Sequence, residues 1–404
     1  MNIQVQPRSA LIAKSLLARN EESQWESFIV SMLKKLELSA ENQAKAERRY
    51  AQFGHHIATK LGVNDDDVHV VVQGSMRTQT TIAGDGREKF DLDVVVKLSG
   101  PRFIQLKDSA GFFQDFGDAL RGLDGAGVPE PKNRCWRLPY PGEPFYFDVT
   151  PAIPLSHDIT GTDLRVRDEE TVWSPSNPEE FANWFCAIAN KRFRLARAIN
   201  KAMLDSVKID PLPQEAVGID DVLRRMVQLM KLHRDSYYKK QSDTRRAAKP
   251  ISVILVTLAA KSYDEIAMSG NYVASSAIEV ALELVARLPR FIEAGREIRI
   301  ENPAMTGAYG ENFAEKWNTD GGLRAREFAT WHSALERDLE ALFSEEYSKR
   351  SENRVRAVFG EFGVKAWKES QGSGILASLR ATAPGIASTQ PAAPRSPASR
   401  NTLA

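Results

Sequence analysis

Apolar residues recur at spacings of three and four between 24 and 61, with Trp25, Phe28, Ile29, Met32, Leu33 and Leu36 on one stripe, and predict helix there. Gly62 closes the run at a helix C-cap position. The period then changes. Asn64-Asp65-Asp66-Asp67 reads as a turn, Val68–Val72 as a short strand and 77–84 as one short helix. Asp85-Gly86 turns the chain into Phe90–Leu98, a strand with Leu92, Val94 and Val96 on one face and Asp91 and Asp93 on the other. A helix over 102–122 follows, then strands at 134–138 and 144–149 joined by a turn at Pro141-Gly142. Beyond Pro178 the pattern is mostly helical, over 178–204, 218–240, 250–266, 275–293, 322–345 and 352–368. Strands in the first 170 residues and helices after them predict an α+β lobe followed by an α-helical lobe.

Length agrees with two lobes, because 404 residues are many for one core. The pattern divides the chain into a first lobe at 1–175, a helical lobe at 176–375 and a disordered Pro/Ala/Ser-rich tail at 376–404. A formal net charge of +1 gives no general attraction for nucleic acid. Two cysteines, Cys135 and Cys186, are too few for a disulfide framework and fit a reducing cytoplasm. Cys135 reads as a small strand residue. The N-terminus does not read as a secretory signal, and the longest apolar run, 251–260, is too short to span a bilayer.

The aspartates on the second strand carry the chemistry. Aspartate is depleted in strands, and two on one face repel unless a cation neutralises them. A third, Asp148, lies on a later strand in the run FYFDVTP. Three such carboxylates can hold two divalent ions about 4 Å apart, and an all-oxygen set suits Mg²⁺, with Mn²⁺ as the alternative. Gly74-Ser75 falls at a strand-to-helix turn, where glycine admits close approach of a phosphate, helix-start N–H groups favour anions and the serine hydroxyl adds a hydrogen bond. A lone D-x-D is usually a solvated turn, and a lone Gly-Ser means less. The ordered set describes nucleotidyl transfer: a hydroxyl attacks the α-phosphate of a nucleoside triphosphate and pyrophosphate leaves.

The runs QGSMRTQTTI, EKFDLDVVVKL and FYFDVTPAIP resemble the cGAS/DncV-like nucleotidyltransferases (CD-NTases) of bacterial CBASS anti-phage systems, within the polymerase-β-like superfamily. The resemblance extends over 20–370 and includes TVWSPSNPEEFANWF, LRRMVQLMKLHRD, KPISVILVTLAA and IENPAMTGAYGENFAEKW. It implies a mixed sheet with a long N-terminal helix, and a helical lobe closing the nucleotide cleft. It also implies Mg²⁺-dependent synthesis of a cyclic di- or trinucleotide messenger from ATP and other NTPs. Asp91, Asp93 and Asp148 would be the catalytic metal ligands, and Gly74 and Ser75 would meet the phosphates. Lys231 and Ser252 would contact the donor triphosphate; on the residues alone, Lys231 reads rather as a solvated helix flank, and Ser252 is equally an N-terminal cap. The implied partners are a CBASS effector and ubiquitin-like conjugation enzymes acting on the tail that ends in Leu403-Ala404, although an untethered end with no role fits as well. The rival readings are another polymerase-β-like transferase, tailing RNA or adenylylating a small acceptor, and an inactive nucleotide-binding scaffold.

Other features carry less. His233-Arg234-Asp235 looks like a kinase catalytic loop, but Lys240 stands where Asn is needed. Trp173 either lines the cleft or packs between lobes. Lys239, Lys240, Arg245, Arg246 and Lys249 form a basic cluster that is a solvated loop, a rim drawing NTPs or a nucleic-acid contact. The near-neutral charge and the missing zinc spacing argue against a nucleic-acid activator.

Overall fold

A computed structural model describes residues 8–83, 89–104, 106–155, 162–191, 221–269, 274, 276–305, 310–346 and 352–382, with 371–382 as backbone only. Helices α1 (Arg8–Ala18) and α2 (Glu22–Lys34) begin the described chain, followed by α3 (Ala40–Tyr50) and α4 (Phe53–Leu61). The long N-terminal helix is therefore several shorter ones. The break before α3 is capped by Ser39, whose hydroxyl accepts from the Asn42 N–H. The physical reason is a change of partner. Trp25, Phe28, Met32 and Leu33 bury into the core of the helical lobe, whereas Ala46, Phe53 and Ile57 bury against the sheet. One straight rod cannot serve both. Gly62 ends α4 in the left-handed conformation, φ 66°, as its position predicts.

The seven-stranded sheet comprises β1 (Val68–Val72), β2 (Phe90–Leu98), β3 (Glu130–Pro131), β4 (Trp136–Pro139), β5 (Phe145–Pro154), β6 (Leu164–Asp168) and β7 (Val172–Ser176). Its main path runs β1-β2-β5-β4-β3, and β6 pairs with both β5 and β7. Only the β2/β5 pairing among these is parallel. In that register Asp93 lies opposite Asp148, and Arg137 of β4 lies opposite Asp148 from the other side. Between β1 and β2 the helix expected at 77–84 is replaced by a single turn, α5 (Gly74–Arg77). The β-branched threonines that follow bond locally, Thr78 Oγ1 donating to the Gly74 carbonyl and sharing a hydrogen bond with Thr80 Oγ1. The Asp85-Gly86 turn lies outside the described residues. Helix α6 (Ser109–Ala119) is shorter than 102–122, because Asp108 caps it at its N-terminus by accepting from the Gly111 N–H.

The helical lobe holds α7 (Pro178–Ala189), α8 (Val222–Lys239), α9 (Asp243–Ala247), α10 (Ser252–Met268), α11 (Ala277–Arg287), α12 (Leu323–Ser344) and α13 (Glu352–Thr382). The parts of the expected helices at 192–204 and 218–220 lie outside the described residues. So does the tail from 383 onward, Leu403-Ala404 included, while α13 carries helix into 376–382. The unit drawn at 1–175 needs correction. Leu16 and the α2 stripe belong to the helical-lobe core, and Trp25 stacks on Trp367 of α13 with ring centroids 5.7 Å apart. Among the described residues no helix is long and apolar enough to cross a membrane.

Helix α6 lies against the sheet through Trp136, whose Nε1–H donates to the Phe113 carbonyl and whose ring stacks on Phe113. Gly117 makes room for that indole: a methyl there would land 2.1 Å from Trp136 Cζ2. Gly117→Ala should therefore lower stability by about 1–3 kcal/mol despite alanine's better helix propensity. Urea denaturation measures it, and an unchanged midpoint would mean that α6 slides freely on the sheet.

Candidate active site

Strand alternation puts Asp91 and Asp93 on one face of β2, and the parallel register brings Asp148 beside Asp93. One carboxylate oxygen from each of the three lies within 4.8 Å of the others. The opposite face of β2 and β5 (Leu92, Val94, Phe147 and Val149) is fully buried in the sheet core and fixes which face the aspartates occupy. Arg137 grips Asp148 as a fork, Nε to Oδ1 at 2.9 Å and Nη2 to Oδ2 at 2.7 Å, while its guanidinium lies 4.0 Å from the Tyr146 ring centroid. That fork fixes the rotamer of Asp148 and leaves one lone pair on each oxygen for a cation. Three convergent carboxylates form a hard, all-oxygen donor set, which fits a divalent cation of the Mg²⁺ or Mn²⁺ type.

Asp91 and Asp93 floor a cleft of about 670 Å³ lined by both lobes. Gly74 has φ +62°, and a Cβ there would come within 2.2 Å of Asp93 Oδ2, so only glycine lets this turn pass over the carboxylate. Ser75 follows it into the cleft, and its Oγ accepts a hydrogen bond from Thr81 Oγ1 at 3.1 Å. The Ser75 proton is thereby left for an acceptor other than Thr81. At four residues α5 is too short to supply a helix-terminus anion site, so the expectation built on one fails.

Lys231 is buried, which removes its reading as a solvated flank. Its Nζ donates to the carbonyl and hydroxyl of Thr80, at 3.1 and 3.0 Å. On the same face of α8, Arg224 donates to the Thr78 carbonyl and Gln228 to the Thr81 carbonyl. Ser252 lines the cleft at the first turn of α10 and accepts from Arg234 Nη1 at 3.1 Å; Ile251, not Ser252, holds the cap position. The structure thus gathers Asp91, Asp93, Gly74, Ser75, Lys231 and Ser252 on one cleft, with Asp148 beside Asp93.

Arg137, Arg234 and the threonines of 78–81 escaped sequence reading. Arg234 had a signal, standing one helical turn after Lys231. Cys135 also lines the cleft, in the bend before β4 rather than within a strand. Trp173 packs on Phe112 and donates to the Lys107 carbonyl, away from the cleft lining. The basic cluster is largely neutralised, Arg245 pairing with Glu327, Lys249 with Asp235 and Arg246 with Asp243.

No family model matches the chain. A c-di-GMP synthase of Roseivirga ehrenbergii is 27% identical over 320 residues, 75% of each chain. The cyclic dinucleotide synthase CdnG of Bradyrhizobium diazoefficiens is 25% identical over 263 residues, 61% of this chain and 58% of that one. The solved structure of that CD-NTase in complex with GTP superposes with a TM-score of 0.64 at 20% identity, covering 85% of this chain and 97% of the other. The GTP-bound form of Vibrio cholerae DncV gives a TM-score of 0.50 at 18% identity, covering 89% and 86%. The chain is thus similar in sequence to cyclic dinucleotide synthases and shares the fold of the CD-NTases. The mixed sheet is the one this CD-NTase fold shares, and the acidic row lies on its β2 and β5.

Charge in this cleft is expensive. Burial first, then the neighbouring Asp91 and Asp148, pushes the Asp93 carboxyl up to about 8 from an ordinary 3.8. A carboxyl raised in the folded state contributes stability that is fully present below about pH 4 and is lost as pH rises towards 8. Asp93→Asn removes that loss. In a chelator the variant should melt several degrees above the parent at pH 7.5 and alongside it near pH 4. Thermal melts across that range test it; a variant that melts lower at pH 7.5 would show that the carboxylates do not repel.

Proposed function

We propose that this CD-NTase joins nucleoside triphosphates into a cyclic di- or trinucleotide second messenger in the bacterial cytoplasm, for anti-phage signalling. The observation that carries the reading is the row of Asp91, Asp93 and Asp148 in register on one sheet face, floored in a cleft that Ser75 and Lys231 also line. The names of the relatives, c-di-GMP synthase and cyclic dinucleotide synthase, support it.

Asp91, Asp93 and Asp148 would hold the divalent cations, Mg²⁺ by preference. When bound, these supply charge neutralisation at the attacking hydroxyl and at the leaving pyrophosphate. The chain's own residues do the positioning. Gly74 admits the triphosphate close to the backbone, and Ser75 donates its hydroxyl proton to a phosphate oxygen. Two donors of Lys231 are fixed on Thr80, so the third is aimed by geometry rather than by search. Burial, then the neighbouring Arg234, draws the Lys231 ammonium down to about 7, and an adjacent triphosphate would restore its charge. In each transfer a ribose oxygen forms a bond to an α-phosphorus, the bond to the bridging oxygen breaks, and pyrophosphate departs. Each attacking hydroxyl gives up its proton to solvent, and the last transfer, the second for a dinucleotide or the third for a trinucleotide, occurs within the linear product and closes the ring.

Labelled ATP, GTP, CTP and UTP, incubated with Mg²⁺ and then phosphatase, should yield a resistant product. Asp91→Asn and Asp93→Asn should each lower its yield at least a thousandfold while the fold, read by circular dichroism, persists. A resistant product made equally by these variants would overturn the site. A product with one phosphatase-sensitive end, formed only with an added acceptor, would favour tailing or small-acceptor transfer.

A further inference from the structure

The cleft has a second polar wall, away from the carboxylate floor. Glu311 lines it with its side chain only 14% exposed, and Arg134 stands in front. The backbone sets this wall rigidly. The Asn302 N–H donates to the Glu311 carbonyl at 2.8 Å and the Phe313 N–H to the Ile300 carbonyl at 2.9 Å, clamping the two short segments together. Asn302 Oδ1 accepts from the Ala304 N–H, which turns its Nδ2 onto Glu311 Oε2 at 2.9 Å. Arg134 is fixed as firmly. Its Nε and Nη2 both donate to Asp168 Oδ2, at 3.0 and 2.7 Å, while Asp168 Oδ1 accepts from the Glu170 and Thr171 N–H groups. The remaining nitrogen, Nη1, stands 3.9 Å from Glu311 Oε1, beyond hydrogen-bond reach.

The wall therefore presents, in order, one donor (Arg134 Nη1) and two acceptors (Glu311 Oε1, and the second lone pair of Oε2). Guanine alone among the four bases has the complementary edge, with O6 accepting and N1–H and N2–H donating. Adenine offers a donor and then an acceptor, so it meets this wall like against like. Cytosine fails in the same way, and uracil fails at its O2. Burial raises the Glu311 carboxyl despite the Asn302 hydrogen bond and the nearby Arg134, a cost that two further N–H donors would offset. Phe181 and Phe313, edge to face at 5.6 Å, line the same cleft and supply an apolar surface beside the wall.

We infer that Glu311 and Arg134 read the Watson–Crick edge of a guanine, which makes GTP an obligatory substrate of this chain. The inference rests on the cleft being the nucleotide site proposed above. Both residues act by specificity and neither touches the reacting phosphate.

The test is competition binding of GTP, ITP and ATP to the full chain with Mg²⁺, which needs no turnover. ITP keeps O6 and N1–H and lacks only the N2 amine. The wild type should bind GTP at least tenfold more tightly than ITP, and more tightly still than ATP, because a lost amine leaves a buried acceptor unpaired. Glu311→Gln should weaken GTP at least tenfold, close the gap between GTP and ITP, and leave ATP within about twofold. Equal wild-type affinity for GTP and ITP would overturn the inference without any variant. So would a Glu311→Gln protein that loses GTP and ATP alike. Failure of synthesis is separable: a chain that prefers GTP over ITP yet makes no resistant product keeps this wall and loses the cyclase.

Discussion

Everything in this molecule is arranged around three carboxylates that repel one another on one face of a parallel strand pair. The parallel register of β2 and β5 sets Asp93 against Asp148, and a slip of one residue would turn an aspartate into the sheet core. Such a row survives because the other face of both strands is fully buried and cannot turn over. Leu92, Val94, Phe147 and Val149 hold the register that the acidic face alone would abandon. Arg137 then restrains Asp148 from the neighbouring strand, and the nearby Lys231 offsets only part of the carboxylates' repulsion.

The second lobe is bound to this row through one loop. Arg224, Gln228 and Lys231 recur at helical spacing on α8 and reach the carbonyls of Thr78, Thr81 and Thr80 in turn. Those threonines follow directly on Gly74 and Ser75, and Thr81 holds the Ser75 hydroxyl. The helical lobe thus fixes the turn that carries Gly74 and Ser75. Burying so many polar side chains costs free energy unless each finds a partner, and the loop's carbonyls are those partners. Arg224 also pairs with Asp221 and Gln228 with Glu37, whereas Lys231 is held by the Thr80 carbonyl and hydroxyl, so the ammonium depends most on this placement of α8.

The acidic strands were legible because their signals are local. Val68–Val72 and Phe90–Leu98 alternate with period two and end at turn residues, so their faces follow from the sequence alone. Asp148 was legible through its apolar neighbours. What escaped depends on tertiary placement. The stripe from Trp25 to Leu36 states that a face is buried and is silent on which core receives it. Lys231 sits among residues that match a solvated flank until Thr80 is brought over it. Strands β6 and β7 carry Arg165, Arg167 and Trp173 on so few residues that their alternation is lost in the charge. Arg134 and Glu311 lie far apart in the chain, and only the closed cleft makes them one wall.

The same burial that makes charge costly in the cleft would suit it to charged ligands. Asp93 is drawn towards its protonated form and Lys231 towards its neutral form, although the two attract each other. Desolvation outweighs that attraction. A divalent cation among the carboxylates and a triphosphate beside Lys231 would each supply the charge that burial withholds. Each also lowers the cost of the other, since a nucleotide brings oxygens to the cation and a cation offsets the nucleotide's charge near Asp93. Linkage makes this coupling reciprocal, so cation and nucleotide should enter as a pair rather than independently. On the proposed reading, a site left electrostatically unfinished by its own protein in this way would favour a charged, metal-chelated substrate over neutral molecules of similar shape.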